Sequence, residues 1–262
     1  MNKTTLTGIC MVGIMALAAL AAPWLSPCQP GQIDAGSILC APSSSHLLGT
    51  DSLGRDVLSR LIYGARISLS VGIIAVGIST ILGVFFGALA GFYGKAADAL
   101  IMRVVDVLLC FPTFFLILAA VAFLDSSIFN IMVIIGLTNW MGPARLVRAE
   151  IMALKEREFV EAARACGAGN LRIIVRHMLP NACGPLLVNA TLSVAGAILL
   201  ESGLSFLGLG VQPPVPSWGN MLTEAKATLG VAWWITVFPG SAIFLAIIGF
   251  NFIAEGIRKD LG

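Results

Sequence analysis

Glu161 to Asn181 reads EAARACGAGNLRIIVRHMLPN. It is a charged island in an otherwise apolar chain. Arg164, Arg172 and Arg176 lie inside it, Lys155 and Arg157 just before it, and Glu156, Glu158 and Glu161 are interleaved with them. Helix-forming residues run to Cys166. Gly167-Ala168-Gly169 then breaks the run, because glycine enters the left-handed region and ends helices at little cost. A second short helix is predicted over Asn170–Leu179, with Pro180 as its stop. Ala162 and Ala163 give the first helix a face without bulky side chains, which another protein can approach closely. Apolar spans flank the island, so the stretch reads as a polar helix–turn–helix between membrane spans, a handle for a soluble partner.

The surrounding composition sets the class. Of 262 residues, 58% are hydrophobic and 11% charged, and mean hydropathy is +0.93. Soluble domains carry about a quarter charged residues, so an all-α integral membrane protein is expected. A net charge of +2 is too small to imply a nucleic-acid partner.

Six spans are expected. Leu6–Leu25 is the first; a lone Lys3 is a poor basic leader for a cleaved signal peptide, so the span is read as retained. Ser26–Ala65 is mixed and turn-rich. Near its end Val57, Leu58, Leu61 and Ile62 keep helical spacing, with Arg55, Asp56, Ser59 and Arg60 on the other side, as in an interfacial or solvated amphipathic helix. Ile67–Tyr93 is the second span, and Gly83, Gly87 and Gly91 share one of its faces, where another helix can pack closely. Leu100–Leu124 is the third; Arg103 and Asp106 are spaced to pair, and Phe111-Pro112 interrupts it. Asp125–Ser127 is a polar turn. The fourth span starts at Ile128 and ends near Met141–Pro143. Gly184-Pro185 restarts the chain into a fifth, Leu186–Leu209, which carries Asn189 and Glu201. An acid inside a span is a functional candidate by default, but Glu201 lies near the end, where water or a headgroup is expected to meet it. Val211–Ala232 reads as an external loop stiffened by three prolines, with Trp218, Trp233 and Trp234 suited to an interface. The last span runs from about Trp234 to Ile253.

Positive charge orients the spans. With both termini inside, the inner segments hold Lys3, Lys95, Arg103, Arg145, Arg148, Lys155, Arg157, Arg164, Arg172, Arg176, Arg258 and Lys259, twelve of the sixteen Lys and Arg. The outer segments hold Arg55, Arg60, Arg66 and Lys226. The positive-inside rule selects N-in, C-in and places Glu161–Asn181 in the cytoplasm.

Two motifs carry a resemblance. Glu161-Ala162-Ala163, Gly167 and Leu179-Pro180 resemble the EAA loop of ABC-transporter permeases of binding-protein-dependent importers. His177, followed by Met178, stands where the motif has an aliphatic residue. His46-Leu-Leu-Gly-Thr-Asp51-Ser-Leu-Gly-Arg55-Asp56 with Ser59-Arg60, and Gln212-Pro213-Pro214 through Ser217-Trp218-Gly219, are similar to the C-type permease subunits of oligopeptide, dipeptide and nickel importers. The resemblance covers nearly the whole chain. It implies an N-terminal part, 1–66 (first span, external segment and interfacial helix), and a five-span permease core, 67–262, in the bacterial inner membrane. It further implies half of a translocation pathway, a second homologous permease, two cytoplasmic ATP-binding subunits docked on the EAA loops and an extracytoplasmic binding protein. Glu161 would orient at the ATPase, Ala162 and Ala163 would permit close approach, and Gly167 would make the elbow. Peptides are the first expectation for the cargo and nickel the second; the chain is shorter than typical peptide-permease subunits, which leans toward nickel.

The chemistry that would contradict this is missing. No Gly-x-x-x-x-Gly-Lys-Ser/Thr occurs, so ATP hydrolysis belongs to partners, and no Gly-x-Ser-x-Gly or His-Glu-x-x-His occurs. The chain is read as no enzyme, with no cofactor, no catalytic residue and no metal site. Cys28 and Cys40 are external and read as free or disulfide-bonded. A stand-alone secondary transporter or channel is the alternative class; it needs ionisable groups inside spans, and only Arg103, Asp106 and Glu201 qualify, all near ends. A membrane hydrolase needs a nucleophile–base set, which the sequence does not offer.

Overall fold

The glycine stripe organises the packing. In the computed structural model, which describes residues 2–124 and 127–261, Gly83, Gly87 and Gly91 lie on α3 (Val57–Tyr93) against α7 (Met141–Lys155). A Cβ at Gly87 would stand 2.5 Å from the Ala144 carbonyl oxygen, and one at Gly91 2.8 Å from that of Arg148. Both are inside contact distance, so only glycine admits this helix pair. The same device brings α1 (Lys3–Leu20) onto α12 (Trp233–Leu261), where a Cβ at Gly8 would lie 2.6 Å from Gly249 O.

Between these pairs run α4 (Lys95–Leu109), α5 (Thr113–Phe123), α6 (Ile128–Thr138) and, after the charged island, α10 (Leu179–Phe206). Ile117, Ile131, Ile135, Ile198, Leu204 and Ala246 form the heart of the apolar core. The short α2 (Ala22–Leu25) follows α1, and α11 (Trp218–Ala225) lies between α10 and α12. The only β-type pairing among the described residues is an isolated bridge, Thr50–Asp56.

Four helical stretches are long and apolar enough to cross a membrane: Lys3–Leu20, Val57–Tyr93, Asn170–Phe206 and Trp233–Asp260. A fifth arises if α4 and α5, bent by 84° at Cys110–Pro112, count as one. Pro112 sits at the N-cap of α5, where its missing N–H costs nothing. The expected fourth span corresponds to α6, whose eleven residues are too few to cross alone.

Several sequence expectations are corrected. The interfacial helix and the second span are one helix, α3, so position 66/67 falls inside it. The proposed stop at Pro180 and restart at Pro185 do not occur. Helix continues from α9 (Asn170–Arg172) through a π-helical turn, Ile173–Met178, into α10. Pro180 has no N–H and its ring crowds the carbonyl one turn back, and the wider π register immediately before it makes room. Val211–Ala232 holds a capped helix, α11, because Ser217 and Asn220 close a reciprocal capping box. Trp218 and Trp234 are buried rather than interfacial. Asp106 pairs with Arg145 across helices at 2.5 Å, not with Arg103. Of the expected turn at Asp125–Ser127, Asp125 and Ser126 lie outside the described residues.

Candidate functional site

The charged island folds as α8 (Glu158–Ala165), an elbow and the π-helical turn. Gly167 is left-handed at φ 79°. Its N–H reaches Arg164 O, and the Ala168 N–H reaches back to Ala163 O, both at 3.0 Å. These two bonds are a complete Schellman cap, which only a residue tolerant of positive φ at position 167 allows.

The elbow is fastened to the spans beneath it. Val160, Ile173, Ile174 and Met178 are buried with Ala88 and Phe92 of α3 and Val147 and Ile151 of α7. Lys155 Nζ donates to the Phe92 carbonyl near the end of α3 at 2.7 Å, and Arg148 Nη2 holds Asp98 at 2.6 Å. The buried side of the elbow is thereby continuous with α3 and α7, which the glycine stripe holds together.

The predicted residues divide. Glu161 and Ala162 are exposed, and Ala163 is half-buried. Ala162 and Ala163 line one wall of an open groove of about 560 Å³, with Phe159, Cys166, Arg172 and Arg176 around it. Gly167 shapes the turn beside that groove without lining it. Leu179 packs against the apolar cluster below, and Pro180 is exposed. His177 faces the groove and Met178 takes the buried position, so the departure at His177 costs no packing. Among the described residues, none of Glu156, Arg157, Glu158, Glu161, Arg164, Arg172 and Arg176 forms an ion pair within the chain.

At the other end of α3 the sequence reading missed a buried ionic cluster. Arg55, Asp56, Ser59 and Arg60 do not decorate a wet face; all four are buried. Arg55 Nε binds Asp51 Oδ2 and Arg55 Nη2 binds Glu224 Oε2, each at 2.7 Å. Arg60 reaches Asp51, and its Nη2 donates to Glu224 Oε1 at 2.9 Å. Two cations meet two anions, so the cluster is neutral. Asp56 caps α3 through the Ser59 N–H at 2.8 Å and also meets His46 Nδ1 at 3.1 Å. Upstream, hydrogen bonds from Ser37 Oγ and the Gly36 N–H hold the exposed Asp34 carboxyl below the usual range. The signal available in the sequence was that Glu224 is the only acid between Val211 and Ala232.

Glu201 is likewise not at a wet end. It is fully buried, accepts from Ser205 Oγ at 2.7 Å and from Ser68 Oγ at 3.2 Å, and Ser68 Oγ also accepts from the Trp218 N–H at 3.3 Å. The carboxylate thus ties α10, α3 and α11 together. All six cysteines, Cys28 and Cys40 included, are free. No group of three or more His, Cys, Asp and Glu able to hold a metal occurs among the described residues.

A cavity of about 330 Å³ lies where the helix breaks Leu109–Thr113 and Thr138–Met141 meet α3 and α10. Its polar lining is Ser79, Thr113, Thr138, Asn139, Asn189 and Ser193. The Asn189 Oδ1 is buried without a hydrogen-bond partner. The chain therefore presents an exposed helical elbow at one end of α3, a locked cap at the other, and a neutral polar cavity between broken helices.

Comparison with known proteins agrees with this architecture. The chain is 42% identical over 260 residues to the dipeptide transport system permease protein DppC of Alkalihalophilus pseudofirmus, covering 99% of this chain and 86% of that one. It is 42% identical to the di/tripeptide transport system permease protein DppC of Pseudomonas aeruginosa, with 99% and 88% covered. It is 40% identical to the oligopeptide transport system permease protein OppC of Haemophilus influenzae, with 99% and 84% covered. The fold matches a chain of the inward-facing MetNI methionine ABC transporter with a TM-score of 0.59 at 19% identity, over 78% of this chain and 97% of that one. It also matches an amino acid ABC transporter solved with histidines, TM-score 0.59 at 14% identity, over 78% and 94%. The family model of binding-protein-dependent transport system inner membrane components matches residues 83–261. With most of the chain under that model and permeases matched along nearly all of it, the chain belongs to this family of inner membrane components, the permeases of ABC importers.

Proposed function

We propose that this chain forms half of an ATP-driven import pathway for peptides and is driven through the Glu161–Asn181 elbow by cytoplasmic ATP-binding subunits. The observation that carries this is the elbow itself: an exposed, alanine-faced helix, capped at Gly167, whose buried side is continuous with α3 and α7. In this role Glu161 contacts the ATPase, Ala162 and Ala163 let it close on α8, Gly167 sets the angle, and Leu179 and Pro180 seat the elbow on α10. A second homologous permease completes the pathway, and an extracytoplasmic binding protein delivers cargo. The names of the matched relatives favour di-, tri- and oligopeptides over nickel.

Six crossings with both termini inside complete the reading. Residues 1–66 give the first crossing, the external segment and the opening turns of α3, and 67–262 the five-span core. The fourth crossing is α6 extended past its break into the start of α7. The burial of Arg55 and Arg60 against Asp51 and Glu224 sharpens the charge asymmetry behind this orientation, since two of the four outer cations are neutralised.

The test is purification from the native operon with ATPase activity measured for wild type and Glu161→Arg, Ala163→Trp and Gly167→Pro. P-loop subunits are expected to accompany the wild type and to be lost or uncoupled in the variants. Transport that persists with no ATPase present, the behaviour of a stand-alone secondary transporter or channel, would overturn the reading. Orientation is checked independently with an impermeant maleimide: Cys28 and Cys40 should label from outside, Cys166 and Cys183 only from inside.

A further inference from the structure

We propose that the cavity at the two helix breaks is a cargo-contact site that binds the peptide group itself through the side-chain amides of Asn139 and Asn189, and does not discriminate by cargo charge. The proposal rests on the reading of this chain as a peptide-importing permease.

Broken backbone at membrane depth is tolerated where it is buried in protein or lines a wet cavity. Binding sites in transporters tend to form at such discontinuous helices. Here both breaks open on the same space: Leu109 and Thr113 flank it from one, and Thr138, Asn139 and Pro143 from the other. The facing wall is one stripe of α10, in which Asn189, Ser193, Gly196, Ala197 and Leu200 recur at helical spacing.

Unused hydrogen-bonding capacity is present there. The Asn189 Oδ1 is buried and unpartnered. Asn139 spends its Nδ2 on the Ile135 carbonyl at 2.7 Å, and no hydrogen bond to its Oδ1 occurs among the described residues. By contrast, Ser79 and Thr138 return their hydroxyls to carbonyls of their own helices. A buried amide oxygen without a donor is costly unless something supplies one. The N–H of a peptide group does so, and its carbonyl accepts from an amide N–H or a hydroxyl in return.

Charge selects among ligands. No Asp, Glu, Lys, Arg, His or Cys lines the cavity among the described residues. A bare divalent cation seeks carboxylate, imidazole or thiolate ligands, which are not on offer. Neutral amides read the backbone that all peptides share and leave the side chains unread. The volume, about 330 Å³, falls at the low end of small-ligand sites, as befits one wall of a pathway shared with a second permease.

The test uses the complete importer in vesicles: this chain, the second permease, the ATPases and the binding protein. Uptake of radiolabelled Ala-Ala-Ala, Ala-Lys-Ala and Ala-Glu-Ala is measured per ATP hydrolysed. Asn189→Leu is expected to lower uptake of all three in the same proportion, with ATP hydrolysis still stimulated by the loaded binding protein. Asn189→Asp places an anion in a neutral site and should reduce Ala-Glu-Ala relative to Ala-Lys-Ala by roughly tenfold against the wild-type ratio. Asn139→Asp, at a half-buried position, should shift the ratio the same way and carries the test if the Asn189 variants do not assemble. An unchanged ratio in the aspartate variants, with the wild type importing peptides, overturns the amide site and leaves the peptide reading standing. A wild type that hydrolyses ATP but imports none of the three overturns the peptide reading and this proposal with it.

Discussion

Replacing Glu224 with Ala removes one of two anions from a cluster that holds two arginines. The Arg60 and Arg55 side chains are 2% and 6% exposed, and Asp51 is 2% exposed. In the variant a single carboxylate faces two guanidinium groups, and the site carries an uncompensated positive charge. Breaking a buried pair in this way costs about 3–5 kcal/mol. Glu224 itself is 18% exposed, so water relieves part of that cost, and about 2–4 kcal/mol is the expected loss. For a chain of this size that corresponds to roughly 5–15 °C in Tm. The assay is thermal unfolding of the purified complex followed by tryptophan emission, since the buried Trp218 and Trp234 donate their indole N–H groups to the Leu61 and Thr50 carbonyls beside this cap. Glu255→Ala serves as the control: its pair with Arg258 is at the surface, where about 0–1 kcal/mol is expected. The second arm is the double variant Arg60→Met/Glu224→Met. It leaves Arg55 balanced by Asp51, so part of the single variant's loss should return, a coupling of about 1–3 kcal/mol. If Glu224→Ala unfolds with the control, or the double variant is as unstable as the sum of its single changes, the charge-balance reasoning is wrong.

Three further outcomes follow from the geometry. Gly87→Leu should force α3 and α7 apart at the Ala144 carbonyl, costing about 1–3 kcal/mol or more and lowering the yield of folded protein, whereas Gly77→Leu, which meets nothing within 4 Å, should not. Glu201→Ala should strand the Ser68 and Ser205 hydroxyls in a buried site, cost about 1–3 kcal/mol and make the 211–232 segment more open to protease. Glu201→Gln, which still accepts a hydrogen bond, should cost less. Gly167→Ala puts a Cβ on a left-handed residue in open space, so about 1 kcal/mol is expected, measured as a lower Tm of the complex, while Gly169→Ala, at φ −69°, should be near neutral.

The readings that needed only local rules hold up in the tertiary structure. Four of the six expected apolar runs became long helices, because a span must satisfy its backbone internally whatever surrounds it, while the third bends at Cys110–Pro112 and the fourth is only the eleven residues of α6. The turn after Cys166 followed from Gly167, because the left-handed region is a property of one residue. The spacing of Gly83, Gly87 and Gly91 foretold a close helix contact, though not that α7 would fill it.

What failed depended on distant partners. Pro180 reads as a stop because proline costs an interior hydrogen bond. A π-helical turn and the packing of Ile173, Ile174 and Met178 on α3 and α7 absorb that cost. Arg55 and Arg60 read as solvated because burying a lone cation is prohibitive. Glu224, more than 160 residues away, neutralises them together with Asp51. Trp218 reads as interfacial because its ring is amphipathic; α11 folds it inward, where its indole N–H finds the Leu61 carbonyl. The sequence by itself determined where the chain is apolar and charged and where its long helices lie, since those follow from residue type and spacing. Only the tertiary structure decided which charges are buried, which prolines are tolerated and which helix breaks share a cavity, because each is a balance between a local cost and a contact made by residues far along the chain.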